Sequence, residues 1–399
     1  MVSLRTTLRK INDFPADLIQ RRRDKRRKRF IDEKGKQLLV ASQWQLIRWK
    51  FARHKLAMAS LILLGIMYLA AIFAEFVSPY DPRSFREQYA MAPPQRIRFF
   101  DPHEGRFHLR PFVYSITRHL DPDTWEVTFE EDRTDKQFIR FFVRGSQYRL
   151  MNIPFLEGNL RLFGVEEGVI SLLGNDTRGR DLFSRIVHGS RISLTVGLLG
   201  IAISFFVGVL IGGLSGYFGG VLDVIIQRVI EAIKAIPTIP LWMALSVALP
   251  IHWPLTRVYF FIVLILSIIG WTGVARVVRG KFLSLRTEDF VTAAELDGAS
   301  TGRLIFRYML PSFYSYVIAR LTLEVPAMIL GETALSFLGL GLQAPAISWG
   351  VMLKDAQHIR VLANAPWMLL PGLFVFIAIL AFNFVGDGLR DAADPYSNI

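Results

Sequence analysis

Six long apolar stretches set the limits on what this chain can fold into. Each is close to the roughly 20 residues that a helix needs to cross the hydrocarbon core of a bilayer. They are Leu56–Val77, Ile192–Leu214, Val224–Leu249, Val258–Val278, Tyr314–Phe337 and Trp367–Val385. Of the 399 residues, 52% are hydrophobic, which is too many for an ordinary soluble protein. The sequence therefore predicts an all-α polytopic membrane protein with six transmembrane helices.

The first apolar stretch, residues 56–77, is expected to remain in the protein as a membrane anchor. It begins too late in the chain, and is too long, for a cleaved signal peptide. The chain has no cysteine, which excludes disulfides, iron–sulfur clusters and thiolate metal sites.

The charge of +13 is concentrated before the first stretch. Residues 21–29 read RRRDKRRKR and favour either binding to RNA or anionic lipid, or a solvated tail that holds the N-terminus inside by the positive-inside rule. We interpret residues 1–40 as a basic cytoplasmic tail, with membrane lipid and no nucleic acid as a partner. Residues 41–55 interleave tryptophans with basic side chains, which predicts an interfacial amphipathic helix.

Residues 80–165 form the main non-membrane region and predict a β-rich extracytoplasmic insert between helices 1 and 2. Apolar residues alternate with polar ones around Val127 and Phe141, as in half-buried strands. The three histidines of this region, His103, His108 and His119, do not have convincing ligand spacing. We interpret them as surface residues and expect no metal site.

A polar segment between the fourth and fifth stretches predicts two short helices with a bend between them. Thr287 is a candidate N-cap, Gly298 a stop, and Ser300 a second N-cap for a helix that Pro311 ends. Residues 279–312 carry an excess of Lys and Arg, which places them in the cytoplasm. Taken alone, the segment is also compatible with an ordinary cytoplasmic loop helix.

This segment resembles the EAA loop of ABC importer permeases. The matching residues are Ala293, Ala294, Gly298, Leu310 and Pro311, with Thr292 in place of the usual Glu and Tyr308 in place of the usual Ile. Five other blocks resemble the oligopeptide, dipeptide and nickel importer permeases: GNDTRGRD from 174, GYFGG from 216, LSFLGLG from 335, SWGVML from 348 and NFVGDGLRDAADP from 383. The resemblance covers residues 56–77 loosely and 172–395 strongly.

The resemblance implies the ABC importer type I permease fold, with a permease core over residues 172–395. It implies a C-type subunit that pairs with a second, different permease, two ATPase domains and an extracytoplasmic solute-binding protein. ATP and Mg would be bound by the ATPase subunits, and the cargo would be peptides or related small solutes. The protein would lie in the bacterial inner membrane with both termini cytoplasmic.

By the same resemblance, residues 288–311 would couple movement of the ATPase subunits to translocation. The residues expected to carry this coupling are Ala293, Ala294, Glu295, Asp297, Gly298, Leu310 and Pro311. Small alanines would let the backbone of another protein approach, and glycine would permit the turn.

Three acidic residues fall within the predicted spans: Glu231, Glu324 and Glu332. Ionisable groups are expensive in a membrane and tend to face the helix bundle or a hydrated path. They are candidates for the translocation path. The alternatives are pairing between helices and a location near the end of a span; Lys234 is placed to pair with Glu231.

No catalytic or phosphate-binding motif is found, so we expect a transport subunit and not an enzyme. The sequence lacks G-x-x-x-x-G-K-[ST], and Gly280-Lys281 lacks both the earlier glycine and the following Ser or Thr. One alternative is a proton-coupled secondary transporter. Another is a non-transport membrane protein whose outer β domain does the binding.

Overall fold

A computed structural model of the chain describes residues 42–120, 122–123, 127–250 and 252–393. The predicted basic tail over residues 1–40 lies outside the described residues, as do Trp125 and the final residues of the C-terminal block.

The described chain is mainly helical. Its α-helices are α1 (Gln43–Arg53), α2 (Lys55–Ile72), α3 (Ala74–Val77), α4 (Leu182–Phe218), α5 (Gly220–Ala235), α6 (Thr238–Val247), α7 (Leu255–Leu285), α8 (Asp289–Leu296), α9 (Thr301–Arg303), α10 (Leu310–Ser312), α11 (Tyr314–Thr322), α12 (Val325–Phe337), α13 (Trp349–Ala356), α14 (Ile359–Asn364) and α15 (Leu370–Ala393). A π-helix, Leu304–Met309, joins α9 to α10.

In the described part of the chain, four helical segments are long and apolar enough to cross a membrane. They are Lys55–Ile72, Leu182–Phe218, Leu255–Leu285 and Pro366–Ala393. Two further pairs qualify when each is counted as one broken span: α5 with α6, bent by 85°, and Thr301–Ser312 with Tyr316–Phe337, bent by 73°. The prediction of a polytopic helical membrane protein is thus met, with four to six spans by length and composition.

The bend between α5 and α6 has a local cause. Pro237 has no amide hydrogen and restricts the residue before it to extended conformations. Ile236 is accordingly extended, with φ −84° and ψ 128°. The third apolar stretch, which Pro237 and Pro240 are expected to interrupt, therefore exists as two helices.

Helix α4 starts at Leu182, ten residues earlier than the predicted span at Ile192. Asp181 caps it, its Oδ2 accepting a hydrogen bond from the Ser184 amide at 2.7 Å. Asp176 and Arg185 are buried. These charges pair with one another inside the protein and are not solvated at its surface.

Glycines let α4 and α7 pack at very close range, as their spacing predicts. A Cβ atom on Gly212 would lie 2.4 Å from the carbonyl oxygen of Ala275, and one on Gly208 would lie 2.6 Å from Cβ of Val274. Small residues at such contacts drive helix association in lipid, where burial of apolar surface does not.

Among the residues that the structure describes, strands occur only between 98 and 164, within the predicted insert. Strands β1 (Arg98–Asp101), β2 (Arg106–Leu120) and β3 (Val127–Phe138) form an antiparallel sheet in that order, and β4 (Arg140–Arg149) pairs antiparallel with β5 (Glu157–Gly164). Val113, Ile139, Phe163 and Ile170 form a buried cluster beneath the strands. We call the end of the helix bundle beside these strands the sheet end, and the end that carries α8 the loop end.

One group of possible metal ligands occurs among the described residues, at Asp101, Glu104 and His108. The Lys136 ammonium lies 2.5 Å from Asp101 Oδ2 and also contacts the Glu104 carboxylate. A side-chain cation thus occupies the position between the two carboxylates. Hydrogen bonding to Lys136 lowers the pKa of Asp101 well below its usual range, despite its burial.

Helix α1 packs on the loop end of α15. Ser42 and Gln45 form a capping box at its start, and Ile47 and Phe51 are buried. Trp44 and Trp49 are exposed. Its location at the membrane interface stays a prediction.

Candidate coupling site and buried acids

The predicted coupling segment begins with helix α8. Glu288 is its N-cap residue, with extended φ −77° and ψ 145°, so the prediction of Thr287 as the cap was wrong. The helix ends as predicted at Gly298, whose φ is +77°. The Gly298 amide donates to the Glu295 carbonyl and the Ala299 amide to that of Ala294, both at 3.0 Å, which is the Schellman pattern.

The second part of the segment is one helical run, Thr301–Ser312. Ser300 occupies the predicted N-cap position with φ −64° and ψ 153°, although its hydroxyl makes no capping bond. Pro311 does not end the run, because it lies in the first turn of α10, after π-helical turns in which the Leu310 amide donates to the Ile305 carbonyl. The run ends at Phe313, where φ is −128°.

The seven predicted coupling residues divide between two environments. Five are exposed: Ala293, Glu295, Asp297, Gly298 and Pro311. Ala294 and Leu310 are buried in a cluster with Phe282 of α7. Only one of the two alanines is therefore placed to admit another backbone, and the other holds α8 against the bundle.

Sequence reasoning missed the most exposed apolar residue of the segment, Leu296, whose side chain is 83% exposed. Phe290 and Ala293 are exposed near it on α8. We call Phe290, Ala293 and Leu296 the exposed arc. Helical spacing could have found it, because Val291 and Ala294 define the opposite, inward face.

An ion pair joins two helices at the loop end. Arg279 of α7 donates to both carboxylate oxygens of Asp223 in α5, from Nε and Nη2, each at 2.5 Å. The Ser215 hydroxyl of α4 donates to the same carboxylate at 2.5 Å. From the sequence alone, Arg279 was only one of the basic residues that place the segment 279–312 in the cytoplasm. Here it links α7, which leads into α8, to α5 and α4.

Glu332 of α12 is fully buried between helices. Its Oε1 accepts a hydrogen bond from the Ser336 hydroxyl at 2.9 Å, and its Oε2 one from the Ser193 hydroxyl of α4 at 3.4 Å. The Ser193 oxygen in turn accepts the Trp349 amide at the start of α13, at 3.1 Å. The carboxylate thus connects three helices through hydroxyl groups. This arrangement favours a role in joining the helices over a role in lining the translocation path.

The other two membrane acids pair with arginines close to them in the sequence. Glu231 is exposed and lies 2.8 Å from Arg228, so the predicted pairing with Lys234 was wrong. Glu324 lies 2.8 Å from Arg320. The three acids thus have separate partners, and a path role for them stays a prediction.

The GNDTRGRD block forms a buried polar network at the sheet end. Asp176 Oδ2 lies 2.6 Å from Arg180 Nε and 3.4 Å from Arg185 Nε. Arg180 also reaches Asp355 of α13, at 3.6 Å. Asp181, beside them, has its pKa raised to about 6 by burial. The network ties the start of α4 to α13.

Comparison with known proteins covers most of the chain. Residues 208–396 match the binding-protein-dependent transport system inner membrane component, and residues 42–94 match the N-terminal TM domain of oligopeptide transport permease C. The dipeptide transport system permease protein DppC of Bacillus subtilis is 41% identical over 223 residues, covering 56% of this chain and 68% of that protein. The di/tripeptide transport system permease protein DppC of Pseudomonas aeruginosa is 32% identical over 353 residues, 88% of this chain and 90% of that protein.

The Pseudomonas match is long enough that it must include part of the region 80–165. Among solved structures, a chain of the inward-facing MetNI methionine ABC transporter is similar at 18% identity and a TM-score of 0.42, covering 53% of this chain and 98% of that one.

The apolar helices and the sequence matches together define a multi-pass permease subunit of a bacterial ABC importer. Within that class, the chain belongs to the family of oligopeptide and dipeptide permeases, as a subunit of the C type. Family membership thus confirms the expectation of a transport subunit that is not itself an enzyme.

Proposed function

We propose that this chain is one of two different permeases that form the translocation path of an ATP-driven importer of peptides or related small solutes. The names of its relatives support the cargo class. A solute-binding protein would deliver cargo at the sheet end, and two ATPase domains, which bind ATP and Mg, would dock at the loop end.

The observation that carries this proposal is the exposed arc of α8. An apolar side chain that is 83% exposed, next to a small alanine, is the surface that a partner groove would cover. Val291 and Ala294, on the inward face of the same helix, are packed in the core. The helix that carries the exposed arc is therefore fixed to the bundle.

Force applied to the arc has a route into the bundle. Helix α8 packs on Phe282 at the end of α7, and Arg279, one turn earlier, is bound to Asp223 of α5. Movement of α8 would therefore carry α7 and α5 with it. This is how nucleotide-driven closure of the ATPases would change the exposure of the path.

In this proposal six helices cross the inner membrane, with each bent pair forming one span. Both termini and residues 279–312 would lie in the cytoplasm, and the strands would lie outside. The basic residues of the loop end support this orientation.

The proton-coupled alternative is not favoured by the family, whose other members are permeases of ABC importers. Nor does Glu332 support it, because this acid is enclosed by hydroxyl groups and not placed at an open surface.

Replacing Leu296 by Asp tests the docking surface. The variant should lose the ATPase subunits on purification and lose ATP-driven uptake, because a charge would have to be desolvated in the interface. Leu362→Asp, at an exposed leucine of α14 at the sheet end, is the matched control and should retain the ATPases. Retention of ATPase and uptake by Leu296→Asp would refute the docking role.

A further inference from the structure

The hairpin of β4 and β5 ends in an uncharged apolar tip. Residues 150–156 read LMNIPFL, and Phe155 is 90% exposed. The charged residues on either side, Arg149 and Glu157, pair with each other at 2.9 Å between Nε and Oε1. The tip is therefore a neutral apolar segment bounded at its base by a closed ion pair.

Arg161 fixes this hairpin to the sheet end of the first span, and Arg191 holds that end of the span against α4. Arg161 of β5 is buried and donates to the carbonyls of Glu75 at 2.6 Å and Ser78 at 3.1 Å. It also donates to the Ser146 hydroxyl of β4 at 2.9 Å. From the other side, Arg191 of α4 donates to the carbonyl of residue 71 at 2.5 Å and binds the Glu75 carboxylate. The position of the hairpin relative to α3 is thereby set.

Between the hairpin and the first span lies an open groove of about 760 Å³. Ile66, Leu69 and Phe73 line it from the helix side. Leu150 and Leu156 line it from the hairpin. The three helix residues are exposed on the side of α2 that faces away from the bundle. The groove is therefore continuous with the surface that a membrane-crossing α2 presents to lipid.

We propose that residues 150–156 insert into the outer leaflet as an interfacial anchor, with lipid acyl chains filling the groove. The proposal rests on the membrane crossing of α2 and α3 assumed in the proposed function. Apolar area exposed to water costs about 25 cal/mol per Å². Insertion of the tip into lipid removes this cost, and because the tip is uncharged, no charge has to be desolvated. The anchor would hold the insert at a fixed height over the outer mouth.

The absence of cysteine makes the test direct, since each new cysteine is unique in this chain. Phe155→Cys and Leu109→Cys would each be labelled with a fluorophore in the full transporter complex, with partner cysteines blocked. Leu109 of β2 is the matched control, because it is apolar and 91% exposed but lies in the other sheet. The complex would be placed in liposomes that contain lipids brominated near the headgroup.

We expect bromolipid to quench the label at residue 155 several-fold more than the label at 109, and aqueous iodide to do the reverse. Quenching of residue 155 by iodide would refute the anchor and place the tip in water. Protection from both quenchers would also refute it, and would assign the tip to a contact with the second permease. Ile153→Cys provides a second position if Phe155→Cys does not assemble.

ATP-driven uptake measured in the same liposomes separates the two proposals. An iodide-accessible tip together with normal uptake would end the anchor proposal and leave the transport function standing.

Discussion

At the scale of single residues, Glu332 is an acidic side chain that is completely buried in the helix bundle. In place of water, hydroxyl groups of its own helix and of α4 donate hydrogen bonds to its carboxylate. Buried polar groups are tolerated when every one has a partner, and they become costly when one partner is removed.

Glu332→Ala should therefore destabilise the purified complex by about 1–3 kcal/mol, because it leaves buried hydroxyls without their acceptor. Glu332→Gln keeps an acceptor oxygen and should cost clearly less. Thermal unfolding in nanodiscs compares the two variants. Equal loss in both would mean that the negative charge, and not the hydrogen bonding, is what the site requires.

Because of Asp181, we expect the stability of the sheet end to depend on pH. Its pKa is raised by burial from 3.8 to about 6, so the folded state favours the protonated form. Its contribution to stability is complete below the ordinary pKa of 3.8 and is lost as the pH rises through 6. Arg86, which lowers this pKa, and Asp176, which raises it, are the neighbouring charges.

The Tm advantage of Asp181→Asn over the wild type should accordingly grow between pH 5 and pH 7, because Asn remains neutral and can still cap α4. Melting curves across this range check the prediction. An advantage that does not change with pH would contradict the assigned titration.

At the scale of helices, the contact between α4 and α7 depends on glycines that leave no space for a side chain. Gly212→Ala would place a methyl group 2.4 Å from the Ala275 carbonyl oxygen. The helices must then separate, at a cost of about 1–3 kcal/mol. Gly280→Ala is the control, because nothing lies within 4 Å of that position. We expect a lower Tm only for the first variant, and equal effects would argue against close packing there.

Helix positions could be predicted from the sequence where lipid imposes a length, and less well where charges are buried. The apolar stretches gave the spans because a bilayer admits few polar residues. The early start of α4 was missed because a sequence does not distinguish charged residues in water, such as Asp176 and Arg185 were taken to be, from charged residues in a buried ion pair. Leu296 was missed although the helical spacing of Val291 and Ala294 marks the inward face of α8 and leaves Leu296 outside it.

At the scale of the whole molecule, the two ends of the bundle carry different chemistry. Strands and the buried GNDTRGRD network lie at one end, and the exposed arc with the Arg279–Asp223 pair lies at the other. Such polarity is what a subunit needs if cargo arrives on one side of the membrane and work is applied from the other.

Membrane sidedness follows as a prediction. Asp297→Cys should react with an impermeant maleimide only after cells are permeabilised, because positive residues keep its loop in the cytoplasm. Leu109→Cys should react in intact spheroplasts. External labelling of residue 297 would invert the topology and with it the coupling mechanism.

The near right angle at Ile236 has a consequence for leakage. Helices of 16 and 10 residues reach about 24 and 15 Å, so neither arm alone traverses a hydrocarbon layer of about 30 Å. The corner between them lacks the amide hydrogen of Pro237 and leaves backbone oxygens that only neighbours or solvent can satisfy. We expect water to reach these backbone oxygens wherever neighbouring helices do not cover them.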